Sequence, residues 1–265
     1  MAELQICMLG TFEVCRDFAP LPPTVWRNPL AARLLKLILV MRPEPFPLDS
    51  GLHLLGPHIG QEAVAAAAQQ VNQVLRPGAA LVVEGNTIRF EPGAQCWIDM
   101  DALMAHYGAG VSAAARGEIL PALLAFQEAD ALYQGDLLEE LQEPWLEQPR
   151  RKLQTLYTEI LERLAEGHAV LARYQDAVGF CHKTLAHDPV RESAYQRMMV
   201  YYYYLGDMAA AEEAYQACAH AMTAAGRHMH PETQELWGRL SRCELPAAPG
   251  TAAAPARQKH RPPTK

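Results

Sequence analysis

Four polar residues, Gln69, Asn72, Gln73 and Arg76, stand three, four and seven positions apart in a run rich in alanine, valine and leucine. On a helix that spacing gathers them on one side. Gln and Asn side chains can pair bidentately with adenine in a major groove, and Arg with guanine, so the chemistry on offer is base reading. The bland counterpart is a solvated polar face on an Ala-rich helix. Binding a duplex also takes cations to meet phosphates; those on hand are Arg27, Arg33, Lys36, Arg42, Arg76 and Arg89.

Other groupings carry less. His228-Met229-His230 and the His182/His187 pair have no carboxylate or cysteine at ligand spacing and read as loop histidines. There is no G-x-x-x-x-G-K-[ST] phosphate loop, no G-x-S-x-G elbow and no zinc-protease helix. No catalytic residue, metal or cofactor is expected, and an enzyme is a distant reading. Arg150-Arg151-Lys152 reads as a solvated helix start whose field is cancelled by Glu139, Glu140, Glu143 and Glu147. Tyr201, Tyr202, Tyr203 and Tyr204 form an unbroken aromatic run. Helical spacing splits them between faces, some in a core and one or two as anchors lining a partner groove.

The elements that must hold these residues can be read in order. Residues 4–14 read as a strand interrupted by Gly10, with Leu4, Ile6 and Met8 alternating against Gln5 and Cys7. Pro29 opens a helix over residues 30–41, where its missing N–H costs nothing; Leu34, Leu35, Ile38 and Leu39 make its apolar stripe. A second helix covers residues 61–75 and is stopped by Pro77-Gly78. Its buried stripe is Val64, Ala67, Ala68, Val71, Val74 and Leu75. Residues 81–90 read as a hairpin turning at Gly85-Asn86. Strands, then helices, then a closing hairpin is the order of a winged helix with an extra N-terminal sheet. The helix over 61–75 would be the recognition helix and the hairpin the wing.

The chain has 265 residues, 50% hydrophobic and 20% charged, and a net charge of −7. Residues 246–265 carry Arg257, Lys259, Arg261 and Lys265 without an acid, which leaves −11 on the first 245. Within residues 1–106, 7 Lys/Arg face 10 Asp/Glu. A whole-protein basic field is thereby excluded; DNA would have to be met by a local patch, by the tail or by an oligomer. The tail is Pro/Ala-rich without apolar periodicity and is expected to be disordered. The start lacks a signal-peptide pattern, no apolar run approaches membrane-spanning length, and the six scattered cysteines form no C-x-x-C pair. A cytoplasmic protein with reduced thiols and no membrane partner is expected.

Residues 104–242 are almost continuous helical pattern with an internal period. Leu171, Ala172 and Ala177 recur 34 residues later as Leu205, Gly206 and Ala211, and Cys181 and Tyr215 keep that spacing. Asp188-Pro189 closes the first unit, and Gly117 with Phe126 marks a looser earlier copy. A 34-residue period with a small residue at a tight turn is the tetratricopeptide (TPR) pattern. Small side chains let the paired helices approach, and no hairpin buries its apolar face alone.

These residues resemble a known family, the small transcriptional activators of the SARP type (Streptomyces antibiotic regulatory proteins), in which an OmpR-like winged helix precedes a bacterial transcriptional activator domain. The resemblance covers roughly residues 4–240. It rests on Ala131-Leu132-Tyr133-Gln134-Gly135-Asp136-Leu137-Leu138, on Glu143-Pro144-Trp145-Leu146-Glu147 followed by Arg150-Arg151-Lys152-Leu153, on the turn around Asp188-Pro189, and on Pro231-Glu232-Thr233-Gln234-Glu235-Leu236-Trp237. The front matches less well: family members usually carry several arginines in the recognition helix, and this one ends on Arg76 alone.

The fold expected is mostly α: a winged helix-turn-helix with a small β-sheet and wing over residues 1–103, a TPR-like helical domain over 104–245, and the tail over 246–265. The resemblance implies a promoter-binding activator that contacts RNA polymerase or another protein through its helical repeats, working as a homodimer on double-stranded DNA. The DNA candidates are Gln69, Asn72, Gln73, Arg76, Arg89, Arg27 and Arg33. The alternative is a protein-interaction adaptor that uses the repeat groove and whose winged helix has lost DNA binding. A regulator should carry a continuous positive strip across the helix over 61–76 and the wing; an adaptor should be neutral or acidic there, with an open groove lined by tyrosines.

Overall fold

The computed structural model describes residues 4–244; the expected disordered tail over 246–265 lies outside them. The front begins with strands β1 (Leu4–Cys7), β2 (Glu13–Arg16) and β3 (Ala19–Pro20). A 3-10 turn at Pro23–Val25 leads to helix α1 (Pro29–Met41). Then come β4 (Phe46–Pro47), the short α2 (Leu48–Gly51), α3 (Gln61–Leu75), the hairpin β5 (Ala79–Glu84) and β6 (Thr87–Pro92), and β7 (Cys96–Ile98). The strands form two sheets, β3-β2-β1-β7 and β4-β6-β5. The winged-helix order is present, and the wing turns at Gly85-Asn86, with Glu84 opposite Thr87.

One sequence expectation is corrected. Residues 4–14 are not a single strand: β1 and β2 are antiparallel partners, Leu4 opposite Arg16 and Cys7 opposite Glu13. The reversal runs through Gly10, whose φ of +110° is a left-handed backbone that a side chain would strain. Its N–H donates to the Asp136 carbonyl at 3.0 Å.

Helices α4 (Asp99–Ala115), α5 (Ile119–Leu132), α6 (Glu147–Val170), α7 (Tyr174–His187), α8 (Glu192–Leu205), α9 (Met208–Ala224) and α10 (Pro231–Ser241) follow. The described residues divide into two compact units, one running to Ala115 and including Leu124–Tyr157, the other holding Arg116–Leu123 and the described residues from Thr158 on. Among the described residues no helix is long and apolar enough to cross a membrane. Cys15, Cys181 and Cys218 are buried free thiols; Cys7 and Cys96 are half-buried and Cys243 is exposed.

In the first unit the loop over 136–141 is fastened to residues 8–10. The Leu138 N–H donates to Met8 O at 2.8 Å and the Glu139 N–H to Gly10 O at 3.1 Å. Arg150 clamps the same loop, its guanidinium donating to the carbonyls of Leu137, Leu138 and Leu141 at 2.5–2.8 Å. It is therefore a structural clasp rather than a solvated helix start, a role that the run Arg150-Arg151-Lys152 does not disclose. Tyr133 and Tyr157 stack at 3.7 Å, and the Tyr157 hydroxyl donates to Asp130 at 2.7 Å.

In the second unit the 34-residue period is a backbone fact. Ala172 and Gly206, 34 apart, both take left-handed φ, +56° and +77°. The Arg173 N–H donates to His168 O and, 34 residues on, the Asp207 N–H donates to Tyr202 O, both at 2.9 Å. Ala177 and Ala211 are fully buried, which fits small residues at the close approach of paired helices. The core is continuous through Ala165, Tyr174, Ala177, Met198, Met199, Ala214 and Leu240. Because Ala172 is exposed and holds the conformation that Gly206 supplies freely, Ala172→Gly is expected to stabilise this unit. The gain should be about 0.5–1 kcal/mol, read as a raised urea midpoint with unchanged slope.

Candidate nucleic-acid interface

Helix α3 buries Val64, Ala67, Ala68, Val71 and Leu75, and Val74 is half-buried. This face packs on α1, whose own buried stripe includes Leu34, Leu35 and Ile38. The opposite face presents Gln69, Gln73 and Arg76 to solvent. None of these three side chains has a hydrogen bond or ion pair to another described residue. A shallow cleft of about 320 Å³ lies among Gln69, Asn72, Gln73 and Arg76.

Asn72 is placed differently. It is half-buried, its amide donating to Leu81 O at 2.9 Å and its carbonyl accepting from the Leu81 N–H at 2.6 Å. Both ends of the amide are thus occupied in tying α3 to β5. Gln70 does the corresponding work on the other flank. Its carbonyl accepts from the Asn28 N–H at 2.9 Å and its amide donates to Val25 O at 3.4 Å.

The cations divide sharply. Arg33 pairs with Glu143 at 2.8 Å and also donates to Leu54 O. Lys36 pairs with Glu140 at 2.5 Å. Burial pushes the Glu140 carboxyl up, but the Lys36 hydrogen bond and charge, together with the backbone N–H groups of Glu140 and Phe12, outweigh it and hold the group below its ordinary value. Arg42 grips Asp101 with both Nη atoms, at 2.9 and 3.0 Å, and lies over the Phe90 ring. On the wing Arg89 is shared between Glu84 and Glu91, each at 2.8 Å, and its hydrogen bond lowers Glu84. The positive strip across α3 and wing is therefore not continuous: the wing offers two carboxylates to one guanidinium. Arg27 and Arg76 are exposed and outside any ion pair among the described residues. Arg16, absent from the sequence candidates, sits beside α3, its Nη2 donating to Val74 O at 2.5 Å and Arg76 O at 3.0 Å. Its strand position gave no sign of this.

Of the tyrosines, Tyr201 is buried and lies against Tyr174, which stacks on Tyr204 at 5.2 Å. Tyr203 meets Tyr204 edge-on. Tyr202 borders a cleft of about 320 Å³ between α7, α8 and α9, with its hydroxyl 3.4 Å from His182 Nε2.

The bacterial transcriptional activator domain profile matches residues 98–240, more than half of the chain. The chain belongs to this family. The activator domain therefore begins at the end of β7 and takes in α4 to α10. Across 93% of this chain and 67% of the other, the fold superposes on a structure of Mycobacterium tuberculosis EmbR in complex with a low-affinity phosphopeptide, at 20% identity and a TM-score of 0.78. That likeness establishes the layout, a winged helix followed by TPR-like helices, in accord with the SARP-type resemblance. The TPR2B domain of yeast Sti1, in a complex with pHsp70, superposes over 54% of this chain and 98% of that one, at 16% identity and a TM-score of 0.40, too low to carry an argument. None of the curated proteins matches by sequence. The protein is a member of a transcriptional activator family with an appended winged helix.

Proposed function

We propose that the winged helix binds promoter DNA with α3 in the major groove, and that the activator domain contacts RNA polymerase or another protein. The observation that carries this reading is the outward row Gln69, Gln73 and Arg76, whose side chains have no hydrogen-bond or ion-pair partner among the described residues, on the helix that precedes a wing. Two Gln amides suit adenine and an Arg suits guanine; Arg27 is placed to meet phosphate. One winged helix reads few base pairs, so a homodimer or side-by-side pair on repeated half-sites supplies the rest of the specificity. Work of this kind belongs in the cytoplasm. In this proposal Asn72, Arg33 and Arg89 act inside the protein rather than on DNA.

The test is a mobility shift on the DNA upstream of its own coding sequence, run as a salt series. Gln73→Ala and Arg76→Ala should each weaken specific binding by about 1–3 kcal/mol, roughly five- to 150-fold, and relax preference at one position. The neutralised wing favours a second reading, an adaptor that engages a partner segment through its helical repeats. Absence of DNA binding by the unaltered chain at low salt would select it.

A further inference from the structure

The geometry points to a second feature of the DNA-facing surface: a phosphate-binding cleft on the flank of α3 opposite the wing, built by Arg16 and Arg27. It rests on the DNA reading above and adds which strand of the groove the protein holds. The cleft has a volume of about 480 Å³. Its polar lining is Arg16, Thr24, Arg27, Gln70 and Gln73, and among the described residues no carboxylate lines it. The contrast with the larger cavity of the first unit, about 580 Å³, is instructive: there Arg42 and Arg89 are accompanied by Glu44 and Asp101, and both guanidinium groups are already paired.

The cleft is assembled by fixed contacts. Arg16 is held in place by the carbonyls of Val74 and Arg76 at the end of α3. Gln70 anchors the Val25 and Asn28 backbone, which sets Arg27, in the segment between them, at the rim. Asn28 caps α1 through the Leu30 N–H at 3.0 Å, fixing the segment from its other side. Gln73 belongs both to this cleft and to the reading face, so an anion here would border any base contact.

The size of a duplex makes the placement meaningful. A helix with side chains is about 10–12 Å across and fills a major groove about 12 Å wide, so each flank of α3 lies against one sugar-phosphate strand. The wing flank, joined to α3 through Asn72 and Leu81, meets its strand with Glu84, Arg89 and Glu91. The opposite flank meets its strand with Arg16 and Arg27. Phosphate contact is accordingly one-sided. The ligand is a phosphate oxygen anion, supplied by a DNA backbone diester; a free phosphate is the other source of the same chemistry.

The experiment measures affinity for a random-sequence duplex over a salt series, using the full chain, Arg27→Ala, Arg27→Lys and Arg89→Ala. Because Arg27 is exposed, its variants should fold. Removing one phosphate contact should flatten the log-affinity against log-salt slope by about 0.9 in Arg27→Ala. Arg27→Lys should keep the slope, and Arg89→Ala should leave it unmoved. Binding with an unchanged slope in Arg27→Ala overturns the cleft while the DNA reading stands. A loss in Arg89→Ala equal to that in Arg27→Ala overturns the one-sidedness. If the unaltered chain binds no duplex, the DNA reading fails, and inorganic phosphate decides the cleft separately. Saturable shifts of the Arg16 and Arg27 guanidinium NMR signals, lost in Arg27→Ala, would support an anion site, and their absence would overturn it.

Discussion

Replacing Asp99 by alanine is expected to destabilise the first compact unit by about 2–5 kcal/mol. Asp99 is 4% exposed. One carboxylate oxygen accepts from the Met8 N–H at 2.6 Å and the Leu9 N–H at 2.8 Å; the other accepts from the Met100 N–H at 2.7 Å. Alanine would strand the first two donors away from water, at about 1–3 kcal/mol each. Those donors sit where β1 ends and residues 8–10 bind the loop over 136–141, so the loss would loosen that junction as well. Burial pushes the Asp99 carboxyl above its ordinary range, against the pull of the three N–H donors. Its value to the fold therefore lies in accepting hydrogen bonds, not in its charge. Asp99→Asn, which keeps one acceptor oxygen, should recover a large part of the loss. Urea unfolding measures the magnitude, and hydrogen exchange at the Met8 and Leu9 amides locates it. Protection retained at both amides in Asp99→Ala would refute the account.

The parts of the fold legible in the sequence are those set by local rules. The range 61–75 for α3 follows from an apolar stripe and a Pro-Gly stop, and the wing turn from Gly85-Asn86. The repeat is legible because the left-handed turn demands a small residue at both Ala172 and Gly206. What local rules leave open is which polar side chains are already in use. A helical projection groups Asn72 with Gln69, Gln73 and Arg76, yet it cannot say that β5 comes close enough to occupy that amide at both ends. Charge counting likewise finds a shortage of cations at the front. Only the folded chain reveals that Glu140 and Glu143, more than 100 positions away, have taken Lys36 and Arg33. Gly10 shows the same limit in the backbone: a glycine inside an alternating apolar run is compatible with a strand or a reversal, and pairing between residues 4–7 and 13–16 decides for the reversal.

This distribution of charge bears on the DNA binding proposed for the winged helix. Four of its cations are committed within the protein, so under that proposal electrostatic attraction to a duplex is weak and base contacts supply a larger share of the affinity. A regulator built this way gains little from non-specific DNA, and its salt slope should be shallow, matching few phosphate contacts. With Arg76 turned to the bases, Arg16 and Arg27 are the cations left to make them.

The second large effect is expected at Glu162, in the helical repeats. Its carboxylate accepts from Arg191 Nε at 2.9 Å, from Arg191 Nη2 at 3.2 Å and from the Ser193 hydroxyl at 2.8 Å. Arg197 Nη1 lies 3.2 Å away, and Arg197 Nη2 reaches Glu166 at 2.5 Å. Glu162 thus joins α6 to the start of α8 and keeps two guanidinium groups from facing each other. Glu162→Ala should cost roughly 2–4 kcal/mol, the range for a broken buried ion pair reduced for the partial exposure of Arg191 and Arg197. The pH dependence has a definite sign. Burial raises the Glu162 carboxyl, but the Arg191 and Ser193 hydrogen bonds and the Arg197 charge outweigh it and leave the group below its ordinary value. A depressed native value means stability that is present above the ordinary carboxylate range and is lost as the pH falls through the native one. The unaltered protein should therefore be more stable than Glu162→Ala near neutrality, and the gap should close as the pH drops below about 4.5. Thermal or urea unfolding of both proteins from pH 7 to pH 3 reads this directly. A gap that stays constant over that range would mean that Glu162 acts by packing alone and that the two guanidinium groups are held apart by something else.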